Sequence, residues 1–402
     1  MFSRILPVAI LMLAGCTATK TPVPPAETRA LLAVPDATNA NVTLASDGRT
    51  VVAAWAATAS GLTNIYLARS ADGGASFSAP QRVNNVDGDA NVNGETPPRV
   101  AVAGQSVNVL WFSKRDGVSV LRAAESADGG VTFNAARRIT PDGVTGARGW
   151  ENVALSPDGA VHAVWLDGRN AGAHAQGGHA QHGSMRQDIL HAAWKGSSPV
   201  TESPIAANVC FCCKTALLVR GDVVIAAWRH IFPGSIRDIA VARSTDGGRT
   251  FGEPVRASAD NWQIDACPDD GPAIAMDAAG TLHVAWPTVV ESAGRTSMAI
   301  FHAASADGGR TFAPRQRVDG GEGSAAHPVI AIDANGEAAV AWDELAEGRR
   351  LVRIRAGTAP PVTVSDGKIA TYPSIAVSDG AVIVGWTDQS DGGSVVRARR
   401  LR

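Results

Sequence analysis

The stretch PAIAMDAAGTLHVAW (272–286) reads as an apolar strand, a glycine turn and a second apolar strand that ends in tryptophan. The same phrase recurs along the chain in seven copies, which close at Trp55, Trp111, Trp165, Trp228, Trp286, Trp342 and Trp386. Most copies continue with a third strand, a tight turn and a short fourth strand, such as QRV (316–318). Four strands per repeat are typical of a propeller blade, so the sequence predicts an all-β β-propeller of seven four-stranded blades.

The two ends of the repeat array indicate how the ring closes. The seventh copy has three strands, the last being VVRARR (395–400), and the segment ALLAV (30–34) resembles a fourth strand. Pairing of residues 30–34 with the last blade would remove an open sheet edge. We therefore expect a single propeller domain over residues 29–402.

The N-terminus predicts export and a lipid anchor. Arg4 precedes a short apolar run, and Leu13-Ala14-Gly15-Cys16 follows the run at once. This ending resembles a bacterial lipobox, so residues 1–16 are expected to be a lipoprotein signal peptide, with Cys16 lipidated. The alternative is an ordinary signal peptide that is cut elsewhere. Residues 17–28, rich in Pro and Thr, predict an extended tether, and Thr17 favours the outer membrane of a bacterial envelope, on either side of it.

Composition narrows the choice of partners. The chain has 402 residues and a formal net charge of −2, so there is no bulk electrostatic case for binding nucleic acid. The 42 glycines and 22 prolines accompany a hydrophobic fraction of 45%, which suits many short strands and tight turns. The expected contacts are therefore the membrane, through the anchor, and a glycan or an envelope protein.

Four turns share one motif: SADGGASF (70–77), SADGGVTF (126–133), STDGGRTF (244–251) and SADGGRTF (305–312). In such a turn the Asp carboxylate accepts bonds from backbone N–H groups, and Gly takes the positive φ. The motif resembles the Asp box of sialidases and their BNR-repeat relatives. We assign it a structural role. The resemblance also implies an alternative fold, the six-bladed propeller of true sialidases.

Blade geometry predicts which face carries function. In an up-and-down blade, the strand 1–2 and strand 3–4 turns share one face, and the strand 2–3 loops and strand 4–1 connections share the other. The second set is longer and less regular, which is typical of binding surfaces. On this face we expect a ligand-binding site with these residues: Trp150, His230, Trp262, Asp265, Asp270 and His327.

Four cysteines besides Cys16 fall in two successive connections, at Cys210, Cys212, Cys213 and Cys267. Two disulfides would staple these connections together, with three pairings open. The alternative is a thiolate or mixed Cys/His metal site, although the spacing is not that of a zinc finger.

A second candidate metal site is the loop at 174–185, with His174, His179, His182 and Met185. Imidazole and thioether ligands suit copper or another late transition metal, and zinc is the alternative at the cysteines. The structural alternative for this loop is a solvated Gly/Ala/His segment.

The sialidase resemblance implies a catalytic set. Sialidases use a Tyr nucleophile with a Glu partner, and three Arg that clamp the substrate carboxylate. Here Tyr372 opens the last blade and would be the nucleophile, Glu151 its partner, and Arg229 one clamp residue. The other clamp arginines have no counterparts: NANVTL (39–44) stands in the first blade, and Asp343 and Glu344 follow Trp342.

Three functions therefore remain open from sequence. The leading hypothesis is an envelope-anchored propeller that binds a metal ion, a glycan or a protein partner through its irregular face. The first alternative is an exo-α-sialidase-type glycoside hydrolase. The second is a non-catalytic scaffold of an envelope complex, in which the cysteines are only staples.

Overall fold

The computed structural model describes residues 27–115, 117–171, 186–264, 268–292, 294–321, 323–390 and 392–401. Within these ranges the chain forms 28 strands. Five groups of four strands each form a separate antiparallel sheet, and eight strands form one larger sheet. No helix in the described ranges is long and apolar enough to cross a membrane.

The five four-stranded sheets follow the chain in order and are named sheets 1 to 5. Sheet 1 contains β2 (Thr38–Asp47), β3 (Thr50–Ala59), β4 (Leu62–Ser70) and β5 (Gln81–Arg82). Sheet 2 contains β6 (Arg99–Ala103), β7 (Ser106–Arg115), β8 (Val118–Ser126) and β9 (Arg137–Arg138). Sheet 3 contains β10 (Arg148–Leu155), β11 (Val161–Asp167), β12 (Arg186–Trp194) and β13 (Thr201–Cys210). Sheet 4 contains β14 (Ala216–Arg220), β15 (Val223–Arg229), β16 (Ile239–Ser244) and β17 (Val255–Arg256). Sheet 5 contains β18 (Ala273–Met276), β19 (Leu282–Ser292), β20 (Arg295–Ser305) and β21 (Gln316–Arg317).

The remaining strands form the double sheet. It contains β22 (Ser324–Ile332), β23 (Ala338–Ala346), β24 (Arg349–Ala356), β25 (Val362–Thr363), β26 (Ile369–Ser378), β27 (Ala381–Ser390), β28 (Gly393–Leu401) and β1 (Thr28–Leu32). A single parallel bridge between Arg350 and Ile369 joins β24 to β26 and so unites the strands of the sixth and seventh repeat copies.

The all-β propeller is confirmed, but the expectation of seven separate blades, and the six-bladed alternative, need correction. Five blades are separate sheets, and hydrogen bonding merges the strands of the last two copies into the double sheet. The repeat phrase predicts strands, but it carries no information on whether neighbouring strand groups also bond to each other.

The N-terminal strand closes the ring. β1 pairs antiparallel with β28, with Ala30 opposite Ala398 and Thr28 opposite Arg400. Leu32 is buried against the cores of β28 and sheet 1. β1 thereby covers the free edge that β28 would otherwise expose.

The core lies within and between the sheets. All seven tryptophans that close the second strands are at most 2% exposed. Small residues such as Ala53, Ala163 and Ala285 are buried along the second strands next to branched ones, which lets neighbouring sheets pack closely. The repeated phrase thus supplies both the strand pairing and the packing between sheets.

The four Ser-x-Asp-Gly-Gly turns have one geometry. In the turn at 244–251, the Asp246 carboxylate accepts bonds from the backbone N–H of Arg249 and Thr250 and from the hydroxyls of Ser244 and Thr250. These bonds hold the pKa of Asp246 well below its usual range. Gly247 donates its N–H to the carbonyl of Asp222 in the strand 1–2 turn, so both turns share one face, the turn face. The opposite end of the sheets is named the mouth face.

Candidate functional site

A recurring β-bulge shapes the first strands of the repeats at the mouth face. In β2, β10, β22 and β26 the register shifts so that two residues lie opposite one closing tryptophan. The first residue of each bulge has a positive φ: Asn41 (63°), Trp150 (55°), His327 (55°) and Tyr372 (51°). A left-handed backbone is costly for residues other than Gly, and bulges commonly redirect a side chain. The fold therefore keeps strain at four equivalent positions.

The first strands of the repeats surround one cavity on the propeller axis. This axial cavity has a volume of about 260 Å³ and receives residues from all seven first strands. Its polar lining includes Asn41, Arg99, Lys214, His327 and Tyr372. Two of the bulge residues that carry functional side chains, His327 and Tyr372, thus meet at the axis.

His327 and Tyr372 form the centre of this site. Their ring centroids lie 4.2 Å apart, with the planes tilted by 35°. The imidazole is held on both sides by carboxylates, with Nδ1 2.6 Å from Asp343 and Nε2 2.9 Å from Glu95. Asp343 also accepts the backbone N–H of Tyr372 at 2.8 Å, which ties the two bulges together. Two acids therefore fix the ring on which Tyr372 lies.

A second ion pair extends the site. Lys214 Nζ lies 3.0 Å from Asp270, and the other oxygen of Asp270 accepts the backbone N–H of His327 at 2.5 Å. Arg350 binds the remaining oxygen of Asp343 at 2.6 Å. We name the set Glu95, Lys214, Asp270, His327, Asp343 and Tyr372 the mouth cluster. Its acids and bases alternate, so no large charge of one sign builds up.

Burial and charge set the protonation states of this cluster. Burial disfavours the charged imidazole, but Asp343, Glu95 and Asp270 outweigh it and raise the pKa of His327 to about 10. Burial and the negative charges of Glu95 and Asp343 raise the pKa of Tyr372 to about 12. At neutral pH the pair is therefore an imidazolium beside a neutral phenol, which can donate a hydrogen bond.

Gly94 makes room for the tyrosine ring. A Cβ atom placed on Gly94 would lie 2.1 Å from ring atoms of Tyr372, far inside contact distance. Gly94 belongs to the connection between sheets 1 and 2, which also supplies Glu95. This connection therefore positions both the ring and one acid of the mouth cluster.

The structure separates the predicted catalytic trio. Tyr372 lines the cavity, but Glu151 is fully buried and belongs to the bulge of β10, where Arg99 Nε donates to its backbone carbonyl at 3.0 Å. Burial raises the pKa of Glu151 to about 7, and neither carboxylate oxygen makes a hydrogen bond of good geometry. The acids placed beside Tyr372 are Glu95 and Asp343 instead. Catalytic roles for the trio remain predictions.

Arg229 also lies away from the cavity. Its guanidinium donates to the backbone carbonyls of Asp270, Arg237 and Pro287, and it stacks over the ring of Trp262 at 4.9 Å. Arg99 is the one arginine among the lining residues in the described part of the chain. An arginine clamp of the sialidase kind is therefore not formed by the described lining residues.

The other predicted ligand-binding residues are dispersed. Asp270 and His327 belong to the mouth cluster, as above. The indole of Trp150 packs beside the buried cysteines, and Trp150 accepts the hydroxyl of Thr215 at its carbonyl. His230 accepts the indole N–H of Trp228 at 3.2 Å and packs against Phe232.

Several predicted residues lie outside the described residues: Cys16, His174, His179, His182, Met185, Asp265 and Cys267. The copper site at the histidine loop and the lipidation of Cys16 remain predictions.

Three cysteines do come together. Cys210, Cys212 and Cys213 are buried, with their sulfur atoms within 4.8 Å of one another, and we name them the sulfur cluster. The spacing is compatible with three thiolate ligands around one soft metal ion. However, Cys212 is disulfide-bonded, which leaves Cys210 and Cys213 as free thiols. A zinc or copper site here would first require reduction of that disulfide, so metal binding stays a prediction.

Sequence reasoning missed Glu95, Asp343 and Arg350. Asp343 directly follows a closing tryptophan, as Arg229 does in sheet 4, so the residue after the tryptophan was a signal that could have found it. Glu95 lies in a strand 4–1 connection on the face already chosen for function. Arg350 carries no sequence signal, because its role depends on the β23–β24 pairing.

Comparison with known proteins extends the fold assignment. No family model and no curated protein matches the chain. Among solved structures, the polysaccharide lyase Uly1 superposes with a TM-score of 0.55 at 11% identity, covering 90% of this chain and 89% of that one. A protein of unknown function from Dyadobacter fermentans superposes with a TM-score of 0.52 at 12% identity, covering 93% and 98%.

Glycoside hydrolases are also among the structural neighbours. An α-L-arabinanase from Penicillium chrysogenum, in complex with arabinobiose, gives a TM-score of 0.50 at 12% identity and covers 93% of this chain and 98% of that one. A Trypanosoma rangeli sialidase mutant gives 0.50 at 13% identity and covers 94% of this chain but 59% of the sialidase. At these identities the likeness concerns the fold alone: a β-propeller of the kind found in sialidase-like and arabinanase-type hydrolases and in polysaccharide lyases.

Proposed function

We propose that this protein binds a glycan in the axial cavity, with the mouth cluster as the recognition site. The observation that carries the proposal is the Tyr372 ring, which lies on a carboxylate-held imidazolium at the end of a cavity lined by every first strand. Sugars present both apolar ring faces and hydroxyls. A tyrosine ring with polar groups converging beside it offers partners for both.

The structural neighbours support this choice of ligand. Four of them are carbohydrate-active enzymes: the polysaccharide lyase Uly1, the arabinanase in complex with arabinobiose, the sialidase mutant, and an ulvan lyase bound to -[GlcA(1-4)Rha3S]-. The balanced charge of the mouth cluster favours a glycan that offers hydroxyls to both acids and bases over a simple anion. It also distinguishes this site from a sialate-carboxylate clamp.

Binding can be tested with a panel of labelled neutral, uronate-containing and sialylated oligosaccharides. Tyr372→Phe removes one hydrogen bond and should weaken binding by about three- to tenfold. The chain has only one other tyrosine, Tyr66, so Tyr66→Phe is the matched control and should leave binding unchanged. Absence of binding across the panel, or equal affinity of both variants, would contradict the proposal.

A glycosidase of sialidase type is the second candidate. It is favoured by one observation: Tyr372, the nucleophile that the sialidase resemblance implies, lines the axial cavity. Burial and the negative charges of Glu95 and Asp343 raise its pKa to about 12. These charges disfavour a phenolate at rest, so a bound substrate would have to offset their effect before Tyr372 could act as a nucleophile. Cleavage of a fluorogenic sialoside by the wild type, and its loss in Tyr372→Phe, would establish this activity over simple binding.

We also propose that the protein is anchored in the bacterial envelope through Cys16, with the mouth face directed away from the lipid. β28 begins at Gly393, next to the strand 2–3 hairpin of the mouth face, so its far end, which includes Arg400, lies at the turn face. Thr28 pairs with Arg400, so the tether would enter the fold at the turn face. Labelled palmitate should be incorporated by the wild type and not by Cys16→Ser, which should leave the membrane fraction.

A further inference from the structure

The sulfur cluster combines two free thiols with one disulfide sulfur. Cys210 Sγ lies 3.5 Å from Cys213 Sγ and 3.8 Å from Cys212 Sγ. Cys210 and Cys213 are free, whereas Cys212 is disulfide-bonded. The free pair also has the C-x-x-C spacing of redox-active dithiols, Cys210-Phe211-Cys212-Cys213. A thiol is thus held next to a disulfide that it can attack.

The surroundings favour a thiolate at Cys210. The hydrogen bond with Cys213 and the charges of Arg237, whose Nη1 lies 3.1 Å from Cys210 Sγ, and of Arg229 lower the pKa of Cys210 to about 6. Burial and the neighbouring Cys210 raise the pKa of Cys213, so Cys210 is the sulfur placed to attack first. Both guanidinium groups are at most 1% exposed, so water screens them little. Positive charge beside a cysteine stabilises the thiolate, which is the attacking species in disulfide exchange.

We propose that the sulfur cluster is a thiol–disulfide exchange centre, in which Cys210 and Cys213 can take over the disulfide that Cys212 holds. In the first step the Cys210 thiolate attacks Cys212 Sγ. A Cys210–Cys212 bond forms, the bond from Cys212 to its former partner breaks, and that partner leaves as a thiolate. In the second step Cys213 gives up its proton and attacks Cys210 Sγ; a Cys210–Cys213 bond forms, the Cys210–Cys212 bond breaks, and Cys212 leaves as a thiolate. The two protons of the original thiols end on Cys212 and its former partner, so no external oxidant is needed.

The sulfur cluster is linked to the mouth cluster through adjacent residues and one hydrogen bond. Cys213 precedes Lys214, whose ammonium binds Asp270, and the backbone carbonyl of Asp270 accepts Arg229 Nε at 3.2 Å. When the disulfide moves from Cys212 to Cys210 and Cys213, the segment that carries Lys214 therefore loses its covalent link to the former partner of Cys212. The proposal does not depend on the ligand of the axial cavity.

Peptide mapping distinguishes the two states of the full chain. Trypsin should release residues 196–214 as one peptide with all three cysteines, and residues 257–295 as another with Cys267. Protein held at pH 8 is quenched with acid at intervals, unfolded and treated with N-ethylmaleimide. The resting state gives peptide 196–214 with two maleimide groups and a link to another peptide. The exchanged state gives an unlinked peptide 196–214 with an internal disulfide and one maleimide group.

We expect the wild type to show both forms and Cys210→Ser to lose the internal disulfide completely. Cys213→Ser should stop at the Cys210–Cys212 bond, which fragmentation of the peptide would locate. Should a cysteine variant not fold, Arg237→Gln offers a second test, since it leaves every sulfur in place and should slow the exchange. A wild type that shows only the linked form at all times, or that carries stoichiometric zinc or copper on these thiols without exchange, would overturn the proposal.

Discussion

The position of the Tyr372 ring depends on residue 94 being a glycine, which has no side chain. The ring occupies the space that a Cβ on Gly94 would take, and Gly94 has an ordinary backbone conformation, so the constraint is one of space alone. Gly94→Ala should displace the ring and weaken ligand binding at least as much as Tyr372→Phe. Gly392→Ala meets no atom within 4 Å and serves as the control. Unchanged binding in Gly94→Ala would show that the ring is not part of the site.

His327 should make stability depend on pH in the alkaline range. Its pKa is raised from 6.5 to about 10, so its charged form stabilises the fold. This contribution is complete below about pH 6.5 and is lost as the pH rises through about 10. His327→Gln removes the cation that Glu95 and Asp343 share, while Asp343 keeps Arg350, and should cost about 3–5 kcal/mol near pH 6. Urea unfolding should show the gap between wild type and variant narrowing from pH 6.5 to pH 9.5. A gap that stays constant would mean that the imidazole is neutral in the folded protein.

At the scale of one element, the bulge of the first strand can be tested directly. Asn41 has a φ of 63° in the bulge of β2, a conformation that a β-branched residue adopts only with strain. Asn41→Val should destabilise the protein by about 1–2 kcal/mol, whereas Asn41→Gly should be nearly neutral. Equal thermal midpoints for the two variants would indicate that the bulge does not persist in solution.

The same bulge shows how far the sequence could predict the site. The tryptophan-ended phrase was sufficient for the strands, and His327 and Tyr372, which were singled out from the sequence, both line the axial cavity, whereas their roles remain predictions. It could not locate Glu151, because the side-chain direction depends on a bulge that no residue type in the phrase announces. Glu95 was missed because its connection contains no repeat. The local residue pattern determines which segments form strands. Which side chains meet in the site depends on the strand register and on the connections between sheets.

For the whole molecule, closure of the ring by β1 should govern stability. Leu32 is 3% exposed and packs into the core, whereas its neighbour Leu31 is 59% exposed. Leu32→Ala should therefore cost about 2–5 kcal/mol, and Leu31→Ala less than about 0.5 kcal/mol. Urea unfolding of the pair measures the difference. Equal effects would mean that β1 frays from β28 and that the ring is stable without it.

The pairing of Thr28 with Arg400 also makes the order of the sheets along the chain arbitrary. The first and last strands end side by side, so a short linker could join them and a new start could be cut at an exposed turn. Gly159, in the strand 1–2 turn of sheet 3, has a positive φ, and a Cβ atom placed on it would meet no atom within 4 Å, which suits such a cut. A circular permutant opened there should fold with the same sheets, whereas each sheet would be synthesised in a different order. The propeller would then form whichever of its strands comes first in the polypeptide.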